Sequence, residues 1–475
     1  MKVKEVNANK AIEEVERLLG EEKNLSPALK SAIKLLITLV SLLLGRFQIN
    51  SKNSGKPPSS DPNRKRGSTR TKSNKKPGGQ NGHVGTKLKK TSKPDLVKEV
   101  KIDRRTLPKN IGYKKVGYEA RQIFDIEITR VVTEYRAEIL EDENGKRYIA
   151  EFPSKIKSDV QYGVGVKSNA TYMSQYQLLP YLRIKEQFTD QMHLPLSTGS
   201  LFNFNKEAYD RLEQFETIAK QKLTDSVLVH ADETGINVDK KRVWLHSASN
   251  DKWTNYFPHS KRGSEAMDDI GIIPNFGGIL CHDHWKPYYK YDCDHSLCNA
   301  HHLRELTYIE EQENQKWAKD MRELLLEINS AVEAAGGKLA SDKDEYYRAK
   351  YRNVLKKADE TECPPPDKNR EKGKRGRIKK SKARNLLERL LNFEKDTLRF
   401  MEVERVPFTN NQGENDLRMI KVQQKISGCF RSMEGAYIFC RIRGYLSTCL
   451  KNDVGATEAL RLLFNGKLPD FVYES

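Results

Sequence analysis

The chain has 475 residues, with 84 Lys plus Arg against 65 Asp plus Glu and a formal net charge of +19. That length exceeds one compact domain, and 37% hydrophobic residues still supply real cores, which excludes wholesale disorder. The apolar run Ile33 to Leu44 is interrupted by Lys34 and falls short of the ~20 residues that span a bilayer, so no membrane role is expected. The opening MKVKEVNANK leads into an acidic stretch rather than an apolar core, so no secretory leader is read and a cytoplasmic location is expected. Seven cysteines, none before Cys281, do not make a disulfide framework.

In residues 1–48, Leu29, Ile33, Leu36, Val40, Leu43 and Phe47 repeat with a period of 3.5, the seam of a coiled coil, while Leu35, Leu39 and Leu42 widen it toward an ordinary bundle helix. Residues 49–94 read as a disordered basic linker: from 51 to 94 there are 13 Lys or Arg against Asp61 alone, amid Gly, Pro and Ser. Residues 95–153 read as a small β unit, with alternation over Arg130–Arg136 and a hairpin turn at Glu143-Asn144-Gly145-Lys146. Residues 154–222 are helical, with a break at His193–Leu196 and a new start at Ser197-Thr198, which fits a helix-turn-helix or a plain packed pair.

The character changes over 223–310. The run Ser226–Ala231 ends in Asp232, two strands follow at Val243–His246 and Thr254–Phe257 with a turn near Gly235, and Ser264–Ile270 forms a short helix. Gly278–His282 then ends in Asp283, and Ser296–Ala300 precedes a helix through Leu303, Leu306 and Ile309. Three strands, a helix, then two strands separated by a helix is the order of a ribonuclease-H-like α/β core with a mixed sheet. Residues 311–402 are a helical insertion, 403–448 the second part of the core, and 449–475 a C-terminal tail. Within the insertion, Asp367–Arg384 carries 10 basic and two acidic residues. The two basic segments contribute +12 and +8, which leaves −1 for the other 413 residues. Such tethers neutralise phosphates without demanding a shape; Lys65, Arg66, Lys75, Lys76, Lys374, Arg375 and Arg377 are the phosphate contacts assigned to them.

Asp232 and Asp283 each stand at the carboxyl end of an expected strand, where α/β sites assemble. Holding two hard cations requires a third carboxylate, and Glu414 supplies it on a helix capped by Thr409 or Asn410. Arg418 shares the Glu414 face at i, i+4, and with Lys421 and Lys286 is a candidate phosphate contact. A competing metal reading lies in Cys281, His282, His284, Cys293, His295, Cys298, His301 and His302, although their spacings match no familiar zinc pattern. Either His301 or His302, with Arg304, lines the cleft and contacts phosphate on the first reading.

At these positions the chain resembles the DDE transposases of the bacterial insertion-sequence family numbered sixty-six. The matching stretches are His230-Ala231-Asp232-Glu233-Thr234, Cys281–Tyr288 around Asp283, Asn410–Arg418 around Glu414, and Cys298-Asn299-Ala300-His301-His302-Leu303-Arg304. The likeness extends upstream to Asn53–Asp61 and Gly79-Gln80-Asn81-Gly82-His83, and downstream to Leu463-Phe464. The resemblance implies a ribonuclease-H-like catalytic core, two Mg²⁺ ions for which Mn²⁺ substitutes, and cutting and joining of transposon ends. It also implies double-stranded DNA with terminal inverted repeats and a target DNA as partners, a homo-oligomer on DNA, and small accessory transposition proteins. Family members commonly carry a zinc ribbon where this chain has residues 95–153, but no cysteine occurs there, which argues against zinc. The alternatives are a non-catalytic DNA-binding protein and a zinc hydrolase built on the Cys/His cluster.

The partition of charge has a measurable consequence. Deleting residues 51–94 is expected to weaken DNA affinity and to flatten the slope of log affinity against log salt, since each released phosphate contact contributes about −0.9 to that slope on duplex DNA. An unchanged slope in filter-binding titrations would contradict the division of labour.

Overall fold

The computed structural model describes residues 8–22, 25–48, 50, 53–54, 61, 88–365 and 380–474. Lys65, Arg66, Lys75, Lys76, Lys374, Arg375 and Arg377 lie outside the described residues. Two helices open the chain, α1 (Ala8–Glu21) and α2 (Pro27–Gln48), and Leu29, Leu36, Val40 and Leu43 of the expected seam are exposed on α2, as are Leu35 and Leu39. Among the described residues, no helix is long and apolar enough to cross a membrane.

Between residues 88 and 163 the chain is mostly without regular secondary structure and exposed. Its paired strands are β1 (Ile139–Glu141) and β2 (Arg147–Ile149), antiparallel, with the turn closed by Asp142 and by Gly145 at φ 78°. The alternating stretch Arg130–Arg136 forms no strand, contrary to the sequence expectation: Val131 and Val132 remain exposed, so no packed face is there for the alternation to serve. A helical group follows, α3 (Val164–Thr171), α4 (Tyr181–Met192), α5 (Thr198–Arg211) and α6 (Glu213–Thr224). The break between α4 and α5 falls at the expected residues. His193 takes the left-handed conformation that ends α4, and Ser197 caps α5 by accepting from the Ser200 N–H. Ile184, Phe188, Leu196, Leu201 and Phe204 bury one face of the pair in a common core.

The central element is a five-stranded mixed sheet. It contains β3 (Leu228–Val238), β4 (Lys241–Ser249), β5 (Thr254–His259), β6 (Ile279–His282) and β7 (Asp294–Leu297) in the order β5-β4-β3-β6-β7. The first two pairings are antiparallel and the last two parallel. One sequence expectation is corrected here. β3 does not stop at Asp232 but runs on to Val238 as the antiparallel partner of β4, and its turn is made by Asp239 and Lys240, both at positive φ, rather than near Gly235. The apolar run marks only the part flanked by β6; beyond it the pairing with β4 carries the strand, which hydropathy does not report. Gly278 permits the parallel pair to close, because a Cβ there would lie 2.6 Å from the Val227 carbonyl oxygen.

Helix α7 (Ser264–Ile270) crosses over to β6, and α8 (Asn299–Glu313) leaves β7. Then come α9 (Lys316–Ala334), α10 (Ser341–Lys357), α11 (Lys382–Asn392) and α12 (Glu394–Glu402), whose apolar faces build a core around Trp317, Met321, Tyr351, Leu387 and Phe400. Helix α13 (Asn411–Ser427) returns to pack on β3 and β4, α14 (Met433–Lys451) lies on β5, and α15 (Ala456–Phe464) completes the chain's helices. The structure is thus a mixed α/β fold with helices on a mixed sheet.

At the end of β6, His282 is fully buried. Its Nδ1 bonds the Asp283 carbonyl and its Nε2 accepts from His295 Nδ1 at 3.0 Å, which holds both rings neutral. Burial, then the neighbouring His295, push the His282 pKa down to about 3. The unfolded chain takes up a proton near pH 6.5 and the folded chain does not, so this stability is present above 6.5 and is lost progressively as pH falls toward 3. The thermal midpoint is expected to drop between pH 6.5 and 4.5, and more shallowly in His282→Gln. Calorimetric scans showing the same pH slope in both proteins would refute the assignment.

Candidate active site

The site is built where the parallel pairing of β3 and β6 ends. His230 is the last β3 residue in register with β6, opposite Cys281, and Asp232 follows two positions later on the same strand face. Asp283 directly follows the last residue of β6 and accepts from the Trp285 N–H at 3.0 Å, which fixes the turn out of the strand. Glu414 comes from the first turn of α13, with its N–H bonded to the Asn410 carbonyl.

Asn410 fixes that helix start. Its Nδ2 donates to the Ala231 carbonyl at 2.9 Å, which leaves Oδ1 to accept from His230 Nδ1 at 2.7 Å, and its backbone N–H points at Cys298 Sγ at 3.1 Å. Gly413 makes room for this arrangement, since a Cβ there would meet the Asn410 amide at 3.0 Å. From α8, the Arg304 guanidinium approaches Glu414 Oε2 at 4.0 Å, while Glu414 Oε1 is buried without a hydrogen-bond partner.

The electrostatics follow from crowding like charges away from water. Burial first, then the charge of Glu233, drive the Asp232 carboxyl well above the usual carboxylate range, and Asp283 and Glu414 add to the rise. Glu233 is also raised, by burial and by Asp283. It points to the other face of β3, where Arg262 donates to Oε1 at 2.5 and 2.9 Å and the Tyr288 hydroxyl donates to Oε2 at 2.7 Å. The Arg262 guanidinium in turn lies over the rings of Trp244 and Trp285, at 4.8 and 4.3 Å. Sequence reasoning missed this Glu233–Arg262–Tyr288 group. Its only linear signal is a second acid next to Asp232, and its partners lie 29 and 55 residues away.

Asp232, Asp283 and Glu414 are thus brought within electrostatic reach of one another. Among the described residues, the trio of metal-ligating atoms mutually within 4.8 Å is a different one: Cys298, His301 and Glu414. Of the two histidines considered for the cleft, His301 is the one beside Glu414 and Asp283. His302, one residue on along α8, is enclosed in the protein with Nδ1 on Asn299 Oδ1 at 3.1 Å. Lys421 is half-buried and donates to the Gly235 carbonyl at 2.6 Å, and burial lowers its pKa. Arg418 and Lys286 are exposed. The Cys/His cluster does not converge on one point, since His282 and His295 pair with each other while Cys281 is buried in the core.

A family model described as Transposase IS66 family matches residues 159–438, which is 280 of the 475 residues. The chain belongs to this transposase family. The match contains Asp232, Asp283, Glu414, His301 and Arg304 and begins just ahead of α3. A second model, described as a family of unknown function (DUF6444), matches residues 2–89, and so takes in α1, α2 and most of the basic linker. No curated protein matches the chain. Membership in a transposase family makes this a DNA-cleaving and DNA-transferring enzyme by class.

The buried acid has a direct thermodynamic test. A carboxyl whose folded pKa is raised contributes stability that is present below the unfolded pKa of about 3.9 and lost as pH rises through the folded value, so Asp232 destabilises the metal-free protein at neutral pH. Asp232→Asn is therefore expected to raise the thermal midpoint in chelator at pH 7, by about 1–2 °C per kcal/mol relieved in a chain of this size, with the gap between variant and parent closing near pH 4. A variant that melts below the parent throughout this range would contradict the burial of charge at Asp232.

Proposed function

We propose that this transposase is of the DDE type, binding transposon ends and cleaving and joining DNA strands at a centre formed by Asp232, Asp283 and Glu414. The observation that carries the reading is the convergence of three carboxylates, drawn from separated stretches of sequence, around the point where the parallel pairing of β3 and β6 ends. Crowding them together half-buried is costly, and a site that must gather cations gives a reason for it. The strand order β5-β4-β3-β6-β7, antiparallel and then parallel, supports a ribonuclease-H-like core with residues 311–402 inserted before the third acid.

The donor set fits two hard divalent cations, Mg²⁺ with Mn²⁺ able to substitute, because it consists of carboxylate oxygens and leaves Glu414 Oε1 without another partner. When bound, such ions activate water or a terminal 3′-hydroxyl and stabilise the leaving oxygen of the scissile phosphate. The protein's own part is positional. Asp232 and Asp283 hold their places through strand register and the Trp285 turn, and Asn410 sets the helix that carries Glu414. Arg304 keeps a positive charge beside Glu414, and exposed Arg418 and Lys286 offer further cations to the DNA backbone. Duplex DNA with terminal inverted repeats and a target DNA are the partners in this reading, with accessory transposition proteins where required and the nucleoid of the cytoplasm as the place of action. The basic linker supplies sequence-independent affinity, α4 and α5 act as a helix-turn-helix, and the exposed apolar face of α2 joins copies of the chain on DNA.

Incubating the full chain with terminal-repeat DNA and Mg²⁺, and resolving the products on denaturing gels, tests the reading. Asp232→Asn, Asp283→Asn and Glu414→Gln should each reduce both nicking and joining by about 10³-fold or more, the scale for a group that acts as a unit, while retaining binding to the DNA end. Cleavage by Asp232→Asn at the parent's rate would show that the centre lies elsewhere.

A further inference from the structure

We propose that Cys298, His301 and Glu414 form a second metal site, selective for a borderline-soft divalent transition ion such as Zn²⁺, which shares Glu414 with the acid centre. The sharing rests on the role given to Glu414 above; the site itself does not.

Three donor atoms, a sulfur, an imidazole nitrogen and a carboxylate oxygen, already lie within 4.8 Å of one another. Cys298 and His301 are three residues apart at the start of α8, which places both on one side of its first turn, and the Asn410 clamp brings Glu414 up to them from α13. Tetrahedral zinc with bonds of about 2.0–2.3 Å separates its ligands by about 3.3–3.8 Å, so modest side-chain rotations close the set. Two of the three side chains carry an atom with no other partner: Glu414 Oε1 and His301 Nδ1 are both buried without a hydrogen bond. Buried orphan acceptors are rare enough in folded proteins to require a reason, and a shared ion supplies one for both.

The chemistry of the set separates it from the carboxylate centre. A thiolate and an imidazole favour zinc or cobalt over magnesium, whereas Asp232 and Asp283 offer only hard oxygen. Burial raises the Cys298 thiol, but backbone N–H groups of Asn410, Ala300 and His301 point at its sulfur and favour the thiolate, and coordination removes the proton outright. One proton per ion is thus released to solvent when the site fills. Arg304, 4.0 Å from Glu414 Oε2, is the only cation paired with that carboxylate among the described residues, and it leaves Oε1 open. With zinc on Oε1, Glu414 is withdrawn from the acid centre, so zinc and magnesium compete through one side chain.

Cobalt(II) is the probe, because its thiolate charge-transfer band and tetrahedral visible bands report the ligands without any need for catalysis. The metal-free full chain is expected to bind one Co²⁺ with both signatures and to release it to Zn²⁺. Cys298→Ser should lose the charge-transfer band, His301→Ala and Glu414→Gln should weaken binding at least about tenfold, and Asp232→Asn should bind as the parent does; far-ultraviolet dichroism checks that each variant is folded. A charge-transfer band that survives both Cys298→Ser and His301→Ala, or cobalt bound without one, would overturn the site, and unchanged affinity in Glu414→Gln would overturn the third ligand. In Mg²⁺-supported cleavage, zinc at concentrations that fill the site should inhibit the parent, and undiminished cleavage would overturn the sharing of Glu414. A parent that cleaves no DNA at all refutes the catalytic reading, while the cobalt spectra still decide the site.

Discussion

Asn410 joins three elements that the chain keeps far apart. Its side chain bonds the backbone of β3 and His230, its main chain reaches the sulfur at the start of α8, and Glu414 follows one turn later on α13. Because the residue is buried, with 3% of its surface exposed, these bonds form in a medium where leaving any of them unmade costs about 1–3 kcal/mol. The helix therefore has one permitted approach to the sheet, and the position of the third acid is inherited from the position of an amide. Gly413 and the neutral state of His230 belong to the same constraint, the first by leaving space and the second by donating into it.

Around this clamp the molecule concentrates negative charge where it is least stable. Asp232, Glu233, Asp283 and Glu414 come together in a partly buried region, and among the described residues two arginines answer them: Arg262 on the far face of β3 and Arg304 at a distance. Arg262 is itself restrained between two tryptophans, so it neutralises Glu233 without swinging across to Asp232. The result is a division within one dipeptide. Glu233 is satisfied by the protein, whereas among the described residues the Asp232 carboxylate accepts from the N–H of Glu233 alone and is left for a cation from outside. Stability and function pull in opposite directions at such a place.

Much of this was legible in the linear sequence because the relevant signals are local. Apolar runs ending in Asp232 and Asp283, the Ser197 cap and the Asn-Gly turn at 144–145 depend on neighbours a few residues away, and the structure has strands, helix start and turn there. What was not legible depends on pairing across distance. The second half of β3 is a strand because β4 lies beside it, not because of its own hydropathy. His301 and His302 are adjacent letters, and only the direction of α8 relative to α13 decides which one meets Glu414. Lys421 reads as a free cation until the sheet edge offers it a carbonyl. The two basic segments were clear as composition, and composition carries no placement.

The His230–Asn410 contact spans 180 positions of sequence. Closing so long a loop is slow relative to local helix and hairpin formation, and it cannot begin on a ribosome until Asn410 has emerged. During synthesis the basic linker, the helical pair and the first two acids all appear before the residue that completes the acid cluster. A growing or prematurely ended chain therefore carries positively charged tethers with no assembled carboxylate trio behind them. Completion of the cluster is a late event in the life of each molecule, timed by the order of its sequence.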